Sequence, residues 1–141
     1  MIPLKDENPT NKKPIVSYCI IGFCVVIFLS QLGMSESELR DFTYSYGLIP
    51  SVLMGIDQLP NDLFKISPVG TIFTSMFMHG GWMHLIGNML YMWIFADNIE
   101  DDLGILNFVI FYLICGIGAA MSQVLMDINS QIPMIGASGA I

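Results

Sequence analysis

Charge is what this sequence has least of. Five lysine and arginine residues and twelve aspartate and glutamate residues make up 12% of 141 residues, about half of what a globular domain ordinarily carries. Hydrophobic residues account for 54% of the chain, so too little polar surface remains to cover a soluble globule. The shortage of cations also removes the basic stripe that neutralises phosphates, which excludes nucleic acid as a partner. Cysteine is equally sparse. Cys19, Cys24 and Cys115 all lie inside apolar runs and offer neither a disulfide framework nor metal-ligand spacing. No metal or cofactor is expected, and the length fits one domain or a fragment of one.

What the chain has in quantity is uncharged apolar sequence. Residues 15–32 contain no charge and, at about 1.5 Å per residue, reach roughly 27 Å as a helix, close to the hydrocarbon thickness of a bilayer. The run is longer than the apolar region of a signal peptide and lacks a small-residue cleavage site after it. Residues 106–126 form a second uncharged span. Its spacings Gly116-x-x-x-Ala120 and Gly118-x-x-x-Ser122 would let another helix backbone approach closely. Between them, 82–96 is apolar except for His84 and Asn88. Asp97, Glu100, Asp101 and Asp102 then close that helix, and are read as its water-exposed end because acidic residues there oppose the helix dipole.

The predicted fold is therefore all-α: a polytopic membrane helical bundle with three complete transmembrane helices and the start of a fourth. Residues 1–14 form an N-terminal tail, 15–32 the first span and 33–81 a long interfacial loop. Residues 82–141 form a core with helices at about 82–99 and 106–126 and a further helix starting at about 136. Within the loop, Leu39, Phe42, Tyr46 and Ile49 have the spacing of a short helix lying in the headgroup region. Lys5, Lys12 and Lys13 precede the first span, so the positive-inside rule predicts a cytoplasmic N-terminus. The starts of the 82–99 helix and of the segment after Pro133 then share the outer leaflet.

Polar residues inside membrane helices are costly to desolvate and ordinarily face a bundle interior or a water-filled cavity. His84 and Asn88 stand four apart and project from one helix face, making a two-point hydrogen-bonding surface. His79 lies just ahead of Gly80-Gly81, at the entrance to that helix, and is read as a loop or structural histidine. Taken alone, His84 and Asn88 could equally serve helix packing. At the far end of the chain, Gly136-Ala-Ser138-Gly139 sets a hydroxyl at the start of a helix, where free backbone N–H groups and the positive dipole end favour an oxyanion. By itself this could be only a cap. Together, a hydroxyl on one helix and imidazole and amide donors on another supply what acyl transfer requires. A G-x-S-x-G nucleophile elbow is excluded, because position 140 is Ala and no strand-rich scaffold surrounds the serine.

From about residue 67 to Ile141 the chain resembles the rhomboid intramembrane serine proteases. The resemblance rests on His79-Gly-Gly-Trp-Met-His84-Leu-Ile-Gly-Asn88, on Phe95-Ala-Asp-Asn-Ile-Glu-Asp, on Phe111-Tyr-Leu-Ile-Cys-Gly116 and on Gly136-Ala-Ser138-Gly139. It implies that Ser138 is the nucleophile and that His84, Asn88 and the Ser138 backbone N–H line the oxyanion hole. It also implies a six-helix core that cleaves transmembrane protein substrates near the outer membrane face. The family's general-base histidine lies on a later helix and is not present in this chain, so these 141 residues alone are expected to be inactive. The expected location is an integral, multi-pass membrane protein. Two alternatives compete: an inactive protein of the same fold that binds transmembrane clients, and a fragment of a channel or transporter. The latter would need further intramembrane charges or broken helices.

Overall fold

A computed structural model of the chain describes residues 13–141, and Lys5 and Lys12 of the N-terminal tail lie outside them. Seven α-helices occur among the described residues: α1 (Ile15–Leu32), α2 (Glu36–Tyr46), α3 (Pro50–Leu53), α4 (Pro68–Thr74), α5 (Trp82–Tyr91), α6 (Asp97–Leu103) and α7 (Ile105–Met126). Two of them, α1 and α7, are long and apolar enough to cross a membrane. Their side chains face outward over most of their length, as expected of helices solvated by lipid rather than buried in a protein core. Helix α5 runs into α6 through a π-helical turn at Met92–Ala96, so residues 82–103 form one uninterrupted helical stretch of about 33 Å. Gly104 ends it with φ +76°, a left-handed conformation that suits glycine, and the chain turns directly into α7.

The acidic end of that stretch differs from the sequence expectation. Glu100 is 3% exposed and points into the bundle, where it takes up the start of α1. Its carboxyl oxygens accept the Val16 N–H at 2.9 Å, the Ser17 N–H at 2.8 Å and the Ser17 hydroxyl at 2.7 Å. The reason lies in α1 itself. It starts after Pro14 with no side-chain cap of its own, and orphan N–H groups at a helix start need an acceptor. Glu100 supplies that acceptor from 83 residues away. Asp102 is exposed as expected, while Asp97 bonds back to the N–H of Asn98 at 2.8 Å.

At the opposite end, the loop 33–81 is a folded unit. Ser35 and Glu38 form a reciprocal capping box that starts α2, and the Phe42 and Tyr46 rings meet at a tilt of 46° with centroids 4.8 Å apart along its apolar side. Ser67 caps α4, with Pro68 pre-set for the first helical position. Thr74 ties α4 to α2 through its hydroxyl, which donates to the Tyr46 carbonyl at 2.6 Å. A 3₁₀ turn at Ser75–Phe77 then leads towards α5.

The C-terminal segment returns to this end. Leu48 and Met134 exchange both backbone hydrogen bonds, at 3.0 and 2.7 Å, and the Ser51 N–H donates to the Ser130 carbonyl at 3.0 Å. The starts of α5 and of the 136–141 segment therefore lie at one end of the bundle, and the start of α1 and the end of α6 at the other. Instead of opening an α-helix, Ala137–Gly139 makes a single 3₁₀ turn. Its small residues sit against α7: Gly139 meets Ala119, and Gly116 accommodates Met76 and Ala140. Of the two small-residue spacings on α7, the Gly116/Ala120 pair is buried, whereas Gly118 and Ser122 remain exposed.

Candidate active site

The imidazole and hydroxyl singled out in the sequence meet at Gly136, while the Asn88 amide bonds to His79. A Cβ placed on Gly136 would stand 2.6 Å from both Cε1 and Nε2 of His84 and 3.6 Å from the Ser138 Oγ. The imidazole edge thus packs on a backbone position where no side chain fits, and Gly136 also holds φ at +131°. The loop bearing it is pinned from beneath, because the Gly136 N–H donates to the Ser75 carbonyl at 2.9 Å. His84 is half-buried and Ser138 exposed, and no hydrogen bond joins the two side chains. Ser138 is the middle residue of the 3₁₀ turn, and N–H groups at the start of a helical turn have no partner within it.

Beside the serine lies a cavity of about 180 Å³. Gly116, Ala119 and Ala120 of α7 line one wall, and Gly136, Ser138 and Gly139 another. Met76, Gln123, Met134 and Ile135 also line it, so the wall is small beside the hydroxyl and bulkier around it.

His79 has a larger part than the sequence reading assigned to it. It is 1% exposed, its ring meets that of His84 edge-on at 5.1 Å, and its Nε2 lies 3.0 Å from Nδ2 of Asn88. Nδ1 has no hydrogen-bond partner. Burial, reinforced by the neighbouring His84 ring, lowers the His79 pKa to about 4, and the backbone of Phe77 offsets this only in part. A histidine nine residues before Asn88 shows no helical phase with it, so spacing alone does not reveal the pair.

Among the described residues, no three His, Cys, Asp or Glu side chains come together in a way that could hold a metal ion.

The family model for the Rhomboid domain matches residues 67–141, the segment that contains the three polar side chains, the cavity and α5 to α7. The chain belongs to the rhomboid family. Its relatives include RHOMBOID-like protein 4 of Arabidopsis thaliana, 35% identical over 120 residues, a match covering 85% of this chain and 29% of that protein. RHOMBOID-like protein 5 of the same plant is 29% identical over 70 residues, covering 50% of this chain and 23% of the relative. Rhomboid-like protein 11, chloroplastic, is 32% identical over 68 residues, or 48% and 24% of the two chains. This rhomboid chain thus spans less than a third of the length of each of these relatives. No solved structure matches it.

Proposed function

We propose that this rhomboid chain carries the nucleophile and oxyanion hole of an intramembrane serine endopeptidase that cleaves transmembrane protein substrates near the outer membrane face. The observation that carries the proposal is the convergence of His84 and Ser138 on Gly136, with Gly136 and Ser138 lining a cavity rich in small residues. Ser138 Oγ attacks the scissile carbonyl and gives its proton to a general base. The carbonyl oxygen becomes an oxyanion that accepts from the Ser138 backbone N–H, the Asn88 amide and the His84 ring. Collapse expels the amine, which takes the proton from the base. Water then hydrolyses the acyl-enzyme and restores the hydroxyl.

We assign the base to neither of the two histidines here. The Nε2 of His79 is engaged by Asn88, and His84 makes no hydrogen bond to Ser138. The family resemblance assigns the base to a later helix of the intact protein. The same observation favours a second reading, a member of the family that binds transmembrane clients without cleaving them.

In the bilayer, we take α1, the 82–103 stretch and α7 as three spans, with residues 1–14 cytoplasmic and the 33–81 loop in the outer interface. That reading is supported by the common end shared by the 33–81 loop and residues 127–136. Cysteines at positions 35 and 131 should both react with impermeant reagents from outside, and labelling of either only from the cytoplasm would reverse the topology. To test the chemistry, the intact protein and its Ser138→Ala variant are incubated with a transmembrane substrate. Cleavage by the wild type that disappears in Ser138→Ala is the expected result. An intact wild type that binds the substrate without cutting it would favour the second reading.

A further inference from the structure

The amide of Asn88 has a second requirement that membership in a hydrogen-bonding pair with His84 does not meet. An oxyanion donor must present N–H, and an asparagine side chain presents either N–H or C=O depending on a torsion that is broad and roughly two-fold. With the wrong half turned inward, the carbonyl oxygen would face the developing negative charge. Something must choose the half, and the Asn88 side chain has one hydrogen-bond partner, His79.

We propose that His79 is a positioning residue: its Nε2 accepts one N–H of the Asn88 amide and so keeps the nitrogen half of that amide, with its second N–H, available to the oxyanion. The inference rests on the protease reading for its consequence, and on the geometry alone for the bond. With Asn88 Nδ2 facing it at 3.0 Å and able only to donate, the Nε2 of His79 is assigned as the acceptor, which places the ring proton on Nδ1. His79 is itself fixed, being 1% exposed and held edge-on against His84. A ring locked in this way transmits a fixed orientation to Asn88, as a group supporting a site from outside it should. The same bond occupies the lone pair that His79 would need to act as a base, which separates its role from proton transfer.

The bond can be tested without any proteolysis, by ¹⁵N-imidazole NMR of the chain in detergent micelles. The expected spectrum shows neutral His79 with its proton on Nδ1. Asn88→Asp, which puts an acceptor where the donor was, should move that proton to Nε2. A wild-type Nε2–H tautomer, or an Asn88→Asp variant whose His79 tautomer is unchanged, would overturn the proposal.

The consequence is read in the intact protein from kcat and KM on a transmembrane substrate. His79→Leu should lower kcat about tenfold with KM unchanged, a smaller loss than removing the donor itself. His79→Gln, whose side-chain oxygen can accept the same hydrogen bond, should recover most of it. The double variant His79→Leu/Asn88→Ala should be no slower than Asn88→Ala alone. Equal losses for Leu and Gln, or fully additive losses in the double variant, would reduce His79 to a packing residue. If Ser138→Ala proves as active as the wild type, the protease reading fails, while the NMR result still decides whether His79 holds Asn88.

Discussion

Polar groups cluster at both ends of the 82–103 stretch, and the two ends treat them in opposite ways. At one end, the Glu100 carboxyl accepts three hydrogen bonds from Val16 and Ser17 and is sealed from solvent. At the other, His79 keeps an unpartnered Nδ1, His84 and Ser138 make no bond to each other, and a cavity adjoins the serine. Buried polar groups in a folded protein are nearly always satisfied, so the fully bonded Glu100 cluster is read as architecture, while the unbonded groups beside the cavity fit the proposed site. The difference is that the Glu100 end has spent its hydrogen-bonding capacity on the fold, whereas the His84 end has kept some free.

Substitutions can break this contrast from either side. Asn88→Ala in the intact protein should lower kcat by about 10²–10³ through loss of an oxyanion donor, with little change in stability. Steady-state kinetics on a transmembrane substrate, alongside an unfolding curve, would check both halves of that statement. Glu100→Ala should do the reverse. Removing the common acceptor of two N–H groups and a hydroxyl should cost about 3 kcal/mol of stability, as measured by denaturant unfolding, while the folded fraction turns over normally. Ser17→Ala, which leaves both backbone bonds in place, should cost only about 1 kcal/mol in the same assay.

Glycines sharpen the comparison further. At Gly136 a methyl group would meet the His84 ring and a backbone at φ +131°, so Gly136→Ala should displace the imidazole and lower turnover at least tenfold. At Gly118 a methyl group meets nothing within 4 Å, and Gly118→Ala should be silent in both turnover and unfolding. Similar losses at the two glycines would mean that the Gly136 contact is not special.

The smallest expected effect is one of pH. The folded-state pKa of His79 lies near 4, below its ordinary value of 6.5, so the unfolded chain binds the proton more readily. Stability associated with neutral His79 is therefore fully present above pH 6.5 and is lost as the pH falls towards 4. Thermal unfolding should show this decline, and His79→Gln should make it shallower across the same window. An identical slope in the variant would assign the decline to other groups.

Much of this architecture is legible in the sequence because lipid imposes a simple rule. Uncharged runs of sufficient length become helices, and α1 and α7 occupy almost the same residues that hydropathy marks out. His84 and Asn88 are legible for a related reason: polar groups stand out in an apolar helix, and a four-residue spacing gives them a common face. What periodicity could not show depends on partners distant in sequence. Glu100 reads as a solvated helix end until the uncapped start of α1 is brought against it. The 33–81 loop looks like a surface strap because its folding relies on the return of residues 127–136, including the Leu48 and Met134 pairing. The π-helical turn at Met92–Ala96 left no mark either, since all five residues there are ordinary helix-compatible apolar or small side chains.

On the proposed protease reading, chemistry resides at the Ser138 end of the bundle and architecture at the Glu100 end. The most direct test of this division is turnover per folded molecule, obtained by measuring transmembrane-substrate cleavage and folded fraction on the same preparations of intact wild type, Ser138→Ala and Glu100→Ala. Ser138→Ala should fold as the wild type does and cleave nothing, while Glu100→Ala should yield less folded protein with wild-type turnover per folded molecule. Wild-type cleavage that survives in Ser138→Ala, or a Glu100→Ala variant that folds fully but turns over as slowly as Asn88→Ala, would contradict it.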